Sequence, residues 1–115
     1  MNQDPTITDP GLYTVVFEND RVRVLEYRDD PGARTNMHRH PDSIMVTLSS
    51  FRRRVASGGR EVDVDLTAGQ VRWVGAQEHH GENTGSTGTH AIFVELKESP
   101  PTPSARSVLG PDPAP

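Results

Sequence analysis

The stretch PGARTNMHRHPD, residues 31–42, contains the pair of residues whose spacing decides the fold and the chemistry of this chain. His38 and His40 are two positions apart, so in a β-strand both imidazoles lie on the same face, about 7 Å apart at roughly 3.3 Å per residue. Neutral imidazole is the commonest protein ligand for transition metals. The pair therefore predicts two ligands of one metal ion, and the third ligand must come from elsewhere in the chain.

A second stretch, GQVRWVGAQEHHGENTG at residues 69–85, offers that third ligand. A strand-like run with a tryptophan ends there in a glycine-containing turn, and a histidine then opens a second short run. His79 and His80 are adjacent, and adjacent residues of a strand point to opposite faces. Only one of the two is therefore expected to be a ligand.

Together the two stretches resemble the paired motifs of the cupin superfamily, and most closely those of small single-domain bacterial cupins. The first family motif is Gly, five residues, His-x-His, three or four residues and Glu. Gly32, His38 and His40 match this motif. Ile44 and Met45 stand where the metal-binding Glu of the family would be.

The second family motif is Gly, five residues, Pro-x-Gly, two residues, His, three residues and Asn. His79 and Asn83 match its last two positions, while residues 74–76 read Val-Gly-Ala in place of Pro-x-Gly. This match favours His79 over His80 as the third ligand. The resemblance covers about residues 13–97 and implies a cupin barrel.

The resemblance also implies a divalent metal ion, Fe, Mn, Ni or Zn, bound by His38, His40 and His79. Three neutral imidazoles without the family Glu leave the full charge of the ion on the site, which strengthens it as a Lewis acid. Three-His iron centres occur among cupins that cleave small organic molecules with dioxygen. The implied activity is therefore of the oxygenase type, on a small organic acid or ketone. The alternatives are a non-catalytic ligand- or metal-binding cupin that acts as a sensor or accessory module, and a sugar-type isomerase.

Other polar residues near the predicted ligands are candidates for supporting roles. Asp42 has the strand parity of the first histidine pair, and Glu82 follows the third histidine closely in sequence. Each is a candidate for a fourth ligand or for a hydrogen-bond partner of a ligand. General acid–base catalysis needs a titratable side chain, for which His80, His90 and Glu82 are the candidates.

The pattern of apolar residues predicts the fold class. Apolar and charged residues alternate in residues 21–24 and 61–66, which is the two-residue period of a half-buried strand. Residues 57–60, Ser-Gly-Gly-Arg, are the clearest hairpin signal in the chain. No window of helical length shows a helical period. About nine short strands at turn spacing therefore predict an all-β fold, an antiparallel double-stranded β-helix or jelly roll.

The same parity argument predicts a wall of the ligand pocket. If the parity of His40 continues into the next strand, Ile44, Val46 and Leu48 face the metal and form an apolar wall. Such a wall suits a small-molecule ligand or substrate.

The proline-rich ends define the expected domain boundaries. We expect a flexible tail at residues 1–11, the cupin domain at 12–97 and a Pro-rich disordered tail at 98–115. A domain this small benefits from dimerisation, so we expect a homodimer. Residues 12–17 or 51–55 are the sheet edges expected to pair in it.

Composition excludes several classes of protein. The chain has no cysteine, so it has neither disulfides nor cysteine-metal sites. A net charge of −4 argues against nucleic-acid binding, and no apolar run is long enough to span a membrane. The run at residues 52–54, three arginines, lies opposite the acidic residues of the following strand and is interpreted as cross-strand pairing. Without a signal peptide, the expected location is cytoplasmic.

Overall fold

The protein forms two antiparallel sheets, seen in a computed structural model that describes residues 3–98 and 108–113. Within those ranges there are one short helix and nine strands. The elements are α1 (Pro5–Thr8), β1 (Tyr13–Glu18), β2 (Val22–Asp29), β3 (His38–His40), β4 (Ser43–Thr47), β5 (Phe51–Ser57), β6 (Arg60–Leu66), β7 (Val71–Val74), β8 (Gln77–Asn83) and β9 (Thr89–Leu96). No helix in the described ranges is long and apolar enough to cross a membrane.

The order of the strands in the sheets confirms the predicted fold class. One sheet has the order β1-β2-β9-β4-β7 and the other the order β3-β8-β5-β6, with every pair antiparallel. Apart from the hairpins β1–β2 and β5–β6, strands that follow each other in sequence, such as β3 and β4, lie in different sheets. This alternation makes the chain a jelly roll, with the cavity between the two sheets.

The β5–β6 hairpin forms where the sequence predicts it. Ser57 pairs with Arg60 across a two-residue turn in which Gly58 and Gly59 have φ of 56° and 82°. Positive φ at both central residues defines the type I′ turn, which suits glycine and the twist of a hairpin. Arg54 then pairs with Asp63 across the strands, which confirms the cross-strand interpretation of this arginine.

The predicted pocket wall is wrong, because the parity changes between β3 and β4. Ser43, Met45 and Thr47 are the buried residues of β4, so Ile44, Val46 and Leu48 point away from the cavity. The physical cause is the step at Pro41 and Asp42, after which the chain leaves one sheet and enters the other. Met45, not its neighbours, lines the cavity.

Parts of both predicted tails pack against the barrel. In α1, the side chain of Asp4 accepts a hydrogen bond from the backbone N–H of Thr6, and Pro5 is buried. At the other end Leu109 is buried, and the backbone N–H of Asp112 donates to the carbonyl oxygen of Trp73. Residues 108–113 therefore differ from the expected disordered tail. Residues 1–2, 99–107 and 114–115 lie outside the described part, so the rest of the domain division stays a prediction.

One row of residues across the outer face of the five-stranded sheet is apolar from edge to edge. Strand register places one residue from each strand in a single row, whose ends, Phe17 and Trp73, are 54% and 40% exposed. Such a surface is typical of a protein–protein interface. β5 lies between β8 and β6, so the expected pairing through residues 51–55 is wrong, while β1 is an edge strand. The row consists of Phe17, Val24, Val94, Ile44 and Trp73.

The homodimer stays a prediction, with this sheet face as its surface. Light scattering at micromolar concentration should give about twice the chain mass of 12.6 kDa. Ile44→Lys places a charge in the middle of the row and should give the monomer mass, since burying an unpaired ammonium is costly. Ala68→Lys adds the same charge in an exposed turn and should leave the dimer intact. A wild-type monomer, or an unaffected Ile44→Lys dimer, would contradict the prediction.

Candidate metal centre

Three histidines meet where β3 pairs with β8. His38 lies directly opposite His79 in the register, and His40 lies on the same face two residues on. One ring nitrogen from each of the three lies within 4.8 Å of the others. The structure thus brings together the three histidines predicted from the sequence, and it places His80 on the exposed side of β8.

Hydrogen bonds fix the tautomers of the first two histidines. His38 Nδ1 lies 2.7 Å from the backbone carbonyl oxygen of Asn36, and His40 Nδ1 lies 2.8 Å from the carboxylate of Glu95. Both partners only accept hydrogen bonds, so each Nδ1 carries the proton and donates it. Each Nε2 is then left with a free lone pair, which is the arrangement that metal-binding histidines adopt.

The third histidine is fixed by the side-chain amide of Gln77. That amide is itself held by residues 108–113, the C-terminal segment. His79 Nδ1 lies 2.7 Å from Gln77 Oε1, which also accepts the backbone N–H of Gly110 at 2.7 Å. Gln77 Nε2 donates to the carbonyl oxygens of Gly75 and Val108, so the orientation of the amide is determined. The Nδ1 of His79 therefore carries the proton, and its Nε2 also has a free lone pair.

Burial keeps two of these imidazoles, His38 and His79, neutral. Burial, followed by the neighbouring His40, lowers the pKa of His38 to about 4. Burial, followed by His40 and His38, lowers the pKa of His79 to about 2. Metal binding requires neutral imidazole, so these two histidines need no deprotonation at neutral pH. Three imidazole nitrogen donors close to one another fit a divalent transition metal ion.

Two of the histidines border a small cavity between the two sheets. Its volume is about 60 Å³, and His38, His79 and the side chain of Arg53 line it together with apolar and aromatic groups. One water needs roughly 10–15 Å³ on this scale, so the cavity suits a ligand of a few heavy atoms. Gly110 and Pro111 of the C-terminal segment also border the cavity. The other main contributors are Tyr13, Met45, Phe51, Val55, Val74 and Phe93.

Arg53 is tied to the wall of the cavity by a buried network. Its guanidinium donates to Asp29, to the Thr89 hydroxyl and to the Tyr27 hydroxyl. Neighbouring Tyr27 and Asp29 raise the pKa of Arg53 against the effect of burial, which keeps it charged. Asn83, the last residue of the second motif, donates to the same Asp29. The motif asparagine thus supports the cavity wall and does not reach the histidines.

Comparison with known proteins identifies the fold family. No family model and no curated protein match the sequence. A cupin domain from Bordetella pertussis is 29% identical, with a TM-score of 0.70 over 76% of this chain and 93% of that one. The chain has the fold of a small cupin. The cupin fold is also shared with a double-stranded β-helix protein from Klebsiella pneumoniae, which is 22% identical with a TM-score of 0.60 over 74% of this chain and 75% of that one. A Cupin 2 conserved barrel domain protein from Salinispora arenicola is 18% identical, with a TM-score of 0.55 over 76% of both chains.

The remaining candidates lie away from the centre of this cupin. Asp42 accepts a hydrogen bond from the backbone N–H of Ala76, and Glu82 pairs with Arg34 at 3.5 Å on the surface. Neither belongs to the three-histidine group. His90 pairs with Glu26 on the outer face of the five-stranded sheet. His80, His90 and Glu82 therefore do not face the cavity, which removes them as acid–base groups for a ligand bound there.

Sequence reasoning missed several residues that the site uses. Arg53 alternates with buried Phe51 and Val55, and that two-residue period was a signal that it points inward. Glu95 is an acid in the most apolar strand, which also marks it as a buried partner. For Gln77, no local pattern indicates its contact with a segment more than thirty residues away.

We expect each of the three histidines to be needed for metal. His38→Ala, His40→Ala or His79→Ala should remove most bound metal, because two monodentate ligands hold an ion poorly. His80→Ala and Asp42→Asn are matched controls that should leave occupancy near normal. Elemental analysis after dialysis measures the metal content of the histidine variants and of the controls. Loss of metal from Asp42→Asn equal to that from the histidine variants would show that the ligand set is wrong.

The lowered pKa values predict acid sensitivity of the metal-free protein. Free histidine titrates near pH 6.5, so below that pH the unfolded chain binds protons that folded His38 and His79 do not. The free energy of unfolding should therefore decrease as the pH is lowered, by about 1.4 kcal/mol per pH unit for each imidazole between about pH 6 and 4. Urea unfolding at pH 7, 6 and 5 tests this. His79→Gln should reduce the slope, and a stability independent of pH would contradict the assignment.

Proposed function

We propose that this cupin holds a divalent metal ion on His38, His40 and His79 and acts as an oxygenase-type enzyme on a small organic acid or ketone. The observation that carries the proposal is the convergence of three imidazoles, each fixed through Nδ1, beside a small cavity that His38 and His79 line. A bound ion would supply Lewis-acid activation of a small ligand.

The chain's own residues set which ligands are accepted. Aromatic and aliphatic side chains from both sheets exclude water around the reacting groups. Arg53 lines the same cavity, but its charge is balanced by the buried Asp29, so it offers the ligand a polar group without a net positive charge. The volume of about 60 Å³ limits that ligand to a few heavy atoms unless the wall moves. The comparison structures support the fold, and the activity is our inference from the site.

The test combines metal loading with a defined set of ligands. Protein stripped with a chelator is reloaded with Fe(II), Mn(II), Ni(II) or Zn(II) and mixed with small 2-oxo acids and small 1,3-diketones. We expect oxygen uptake, measured with an oxygen electrode, that matches loss of one ligand class with iron or manganese. His79→Ala should abolish the uptake, and His80→Ala should retain it.

Other outcomes would favour the other functions. Ligand binding by calorimetry without oxygen uptake, for every metal, would favour the non-catalytic binding cupin. Conversion of a sugar-type substrate without oxygen uptake would favour an isomerase, although no candidate acid–base residue among His80, His90 and Glu82 lines the cavity. Failure of the protein to bind any of the four metals would overturn the proposal itself.

A further inference from the structure

The hydroxyl of Tyr13 points at the three-histidine centre. Tyr13 Oη lies 3.4 Å from His38 Nε2 and 3.4 Å from His40 Nε2. These are the two nitrogens whose lone pairs are free, because both rings donate through Nδ1. The sequence motifs gave this tyrosine no role, since it lies in the first strand and far from both of them.

The hydroxyl is buried and poorly satisfied by those two contacts. Tyr13 is 6% exposed, and among the residues that the structure describes, only these two nitrogens lie within hydrogen-bond distance of its oxygen. Hydrogen bonds from a hydroxyl are normally about 2.7–2.8 Å long, so 3.4 Å is a weak contact. Buried hydroxyls almost always have a good partner, and here the best remaining partner is whatever the histidines bind.

The distances fit coordination of the same ion. Ligands about 2.1 Å from a metal in a tetrahedral arrangement lie about 3.4 Å from one another. Tyr13 Oη has this separation from both His38 Nε2 and His40 Nε2. The hydroxyl is therefore as far from these two nitrogens as a further ligand of an ion bound to both would be.

The ring is held in this direction by its neighbours. Its centroid lies 4.7 Å from that of Tyr27, its cross-strand partner, and 6.2 Å from that of Phe93. The edge of the His38 ring contacts it at a centroid distance of 5.6 Å. Aromatic contacts at these distances fix the ring, so the hydroxyl needs little reorganisation to coordinate.

We propose that Tyr13 is the fourth protein ligand of the metal and takes the place of the glutamate missing from the first motif. The inference rests on the proposed three-histidine site. On coordination the phenol O–H bond breaks, the proton leaves to solvent, and an Oη–metal bond forms. The phenolate then supplies one negative charge, so a divalent ion keeps a net charge of one instead of two. The site becomes a weaker Lewis acid than three histidines alone would make.

The experiment compares Tyr13→Phe with Tyr27→Phe. Both variants lose one buried hydroxyl from adjacent, contacting rings, but the hydroxyl of Tyr27 bonds Asp29 and Arg53 on the cavity wall. Each protein is stripped of metal, checked for folding by circular dichroism and titrated with Co(II) against a competing chromophoric chelator. We expect Tyr13→Phe to bind at least about tenfold more weakly than wild type, since even outer partners of ligands contribute about 10–100-fold. Tyr27→Phe should bind like wild type.

A spectroscopic readout separates coordination from a hydrogen bond. Wild-type protein loaded with Fe(III) or Cu(II) should show a visible phenolate-to-metal charge-transfer band, with phenolate modes in its resonance Raman spectrum. The band should be absent from Tyr13→Phe and present in Tyr27→Phe. Because the Raman signal is measured on wild type, it tests the inference even if Tyr13→Phe does not fold.

The outcomes distinguish this inference from the proposed function. Metal binding by wild type without a charge-transfer band, whatever the affinity of Tyr13→Phe, would overturn ligation by Tyr13 while leaving the three-histidine site in place. Equal metal affinities and equal spectra for Tyr13→Phe and Tyr27→Phe would also overturn ligation by Tyr13. No metal binding by wild type would overturn both proposals together.

Discussion

The pairing of β3 with β8 is the constraint on which the site depends. β3 is only three residues long, and the register sets His38 opposite His79 and His40 opposite Gln77. A shift of one residue would turn both histidines of β3 to solvent, because side chains alternate along a strand. Two backbone bonds outside the strand hold its position, from Arg39 to Gln3 and from Thr35 to Gly81. The same register places Gln77, whose amide orients His79, beside β3, the strand that carries His38 and His40.

Hydrogen bonds to the outer nitrogens then convert proximity into a directed donor set. Three unrelated acceptors are used: a backbone carbonyl, a carboxylate and an amide oxygen. Only Glu95 among them is charged, and its other oxygen bonds Arg23, which pairs with Asp4 next to α1. A buried carboxylate needs such a partner, since an unpaired buried charge is strongly destabilising. The short N-terminal helix thereby joins the support of His40.

The sequence predicted the site better than its surroundings. His38, His40 and His79 could be identified because strand parity and motif spacing are local properties of the chain. The direction of Ile44 could not be obtained that way, since parity does not carry across Pro41 when the next strand belongs to another sheet. Arg53 was hidden inside a run of three arginines of which the outer two are exposed. Partners distant in sequence, such as Gly110 for Gln77, leave no periodic signal at all.

The hydrogen bonds of Gln77 connect the metal centre to the C-terminal segment, residues 108–113. One oxygen accepts both the Nδ1–H of His79 and the backbone N–H of Gly110. A metal ion on Nε2 would polarise the imidazole and strengthen its Nδ1–H bond, so metal binding and docking of the segment affect each other. Such coupling is reciprocal: the factor by which the docked segment changes metal affinity equals the factor by which metal changes docking. Docking of the C-terminal segment would thus depend on whether a metal ion is bound at the three histidines.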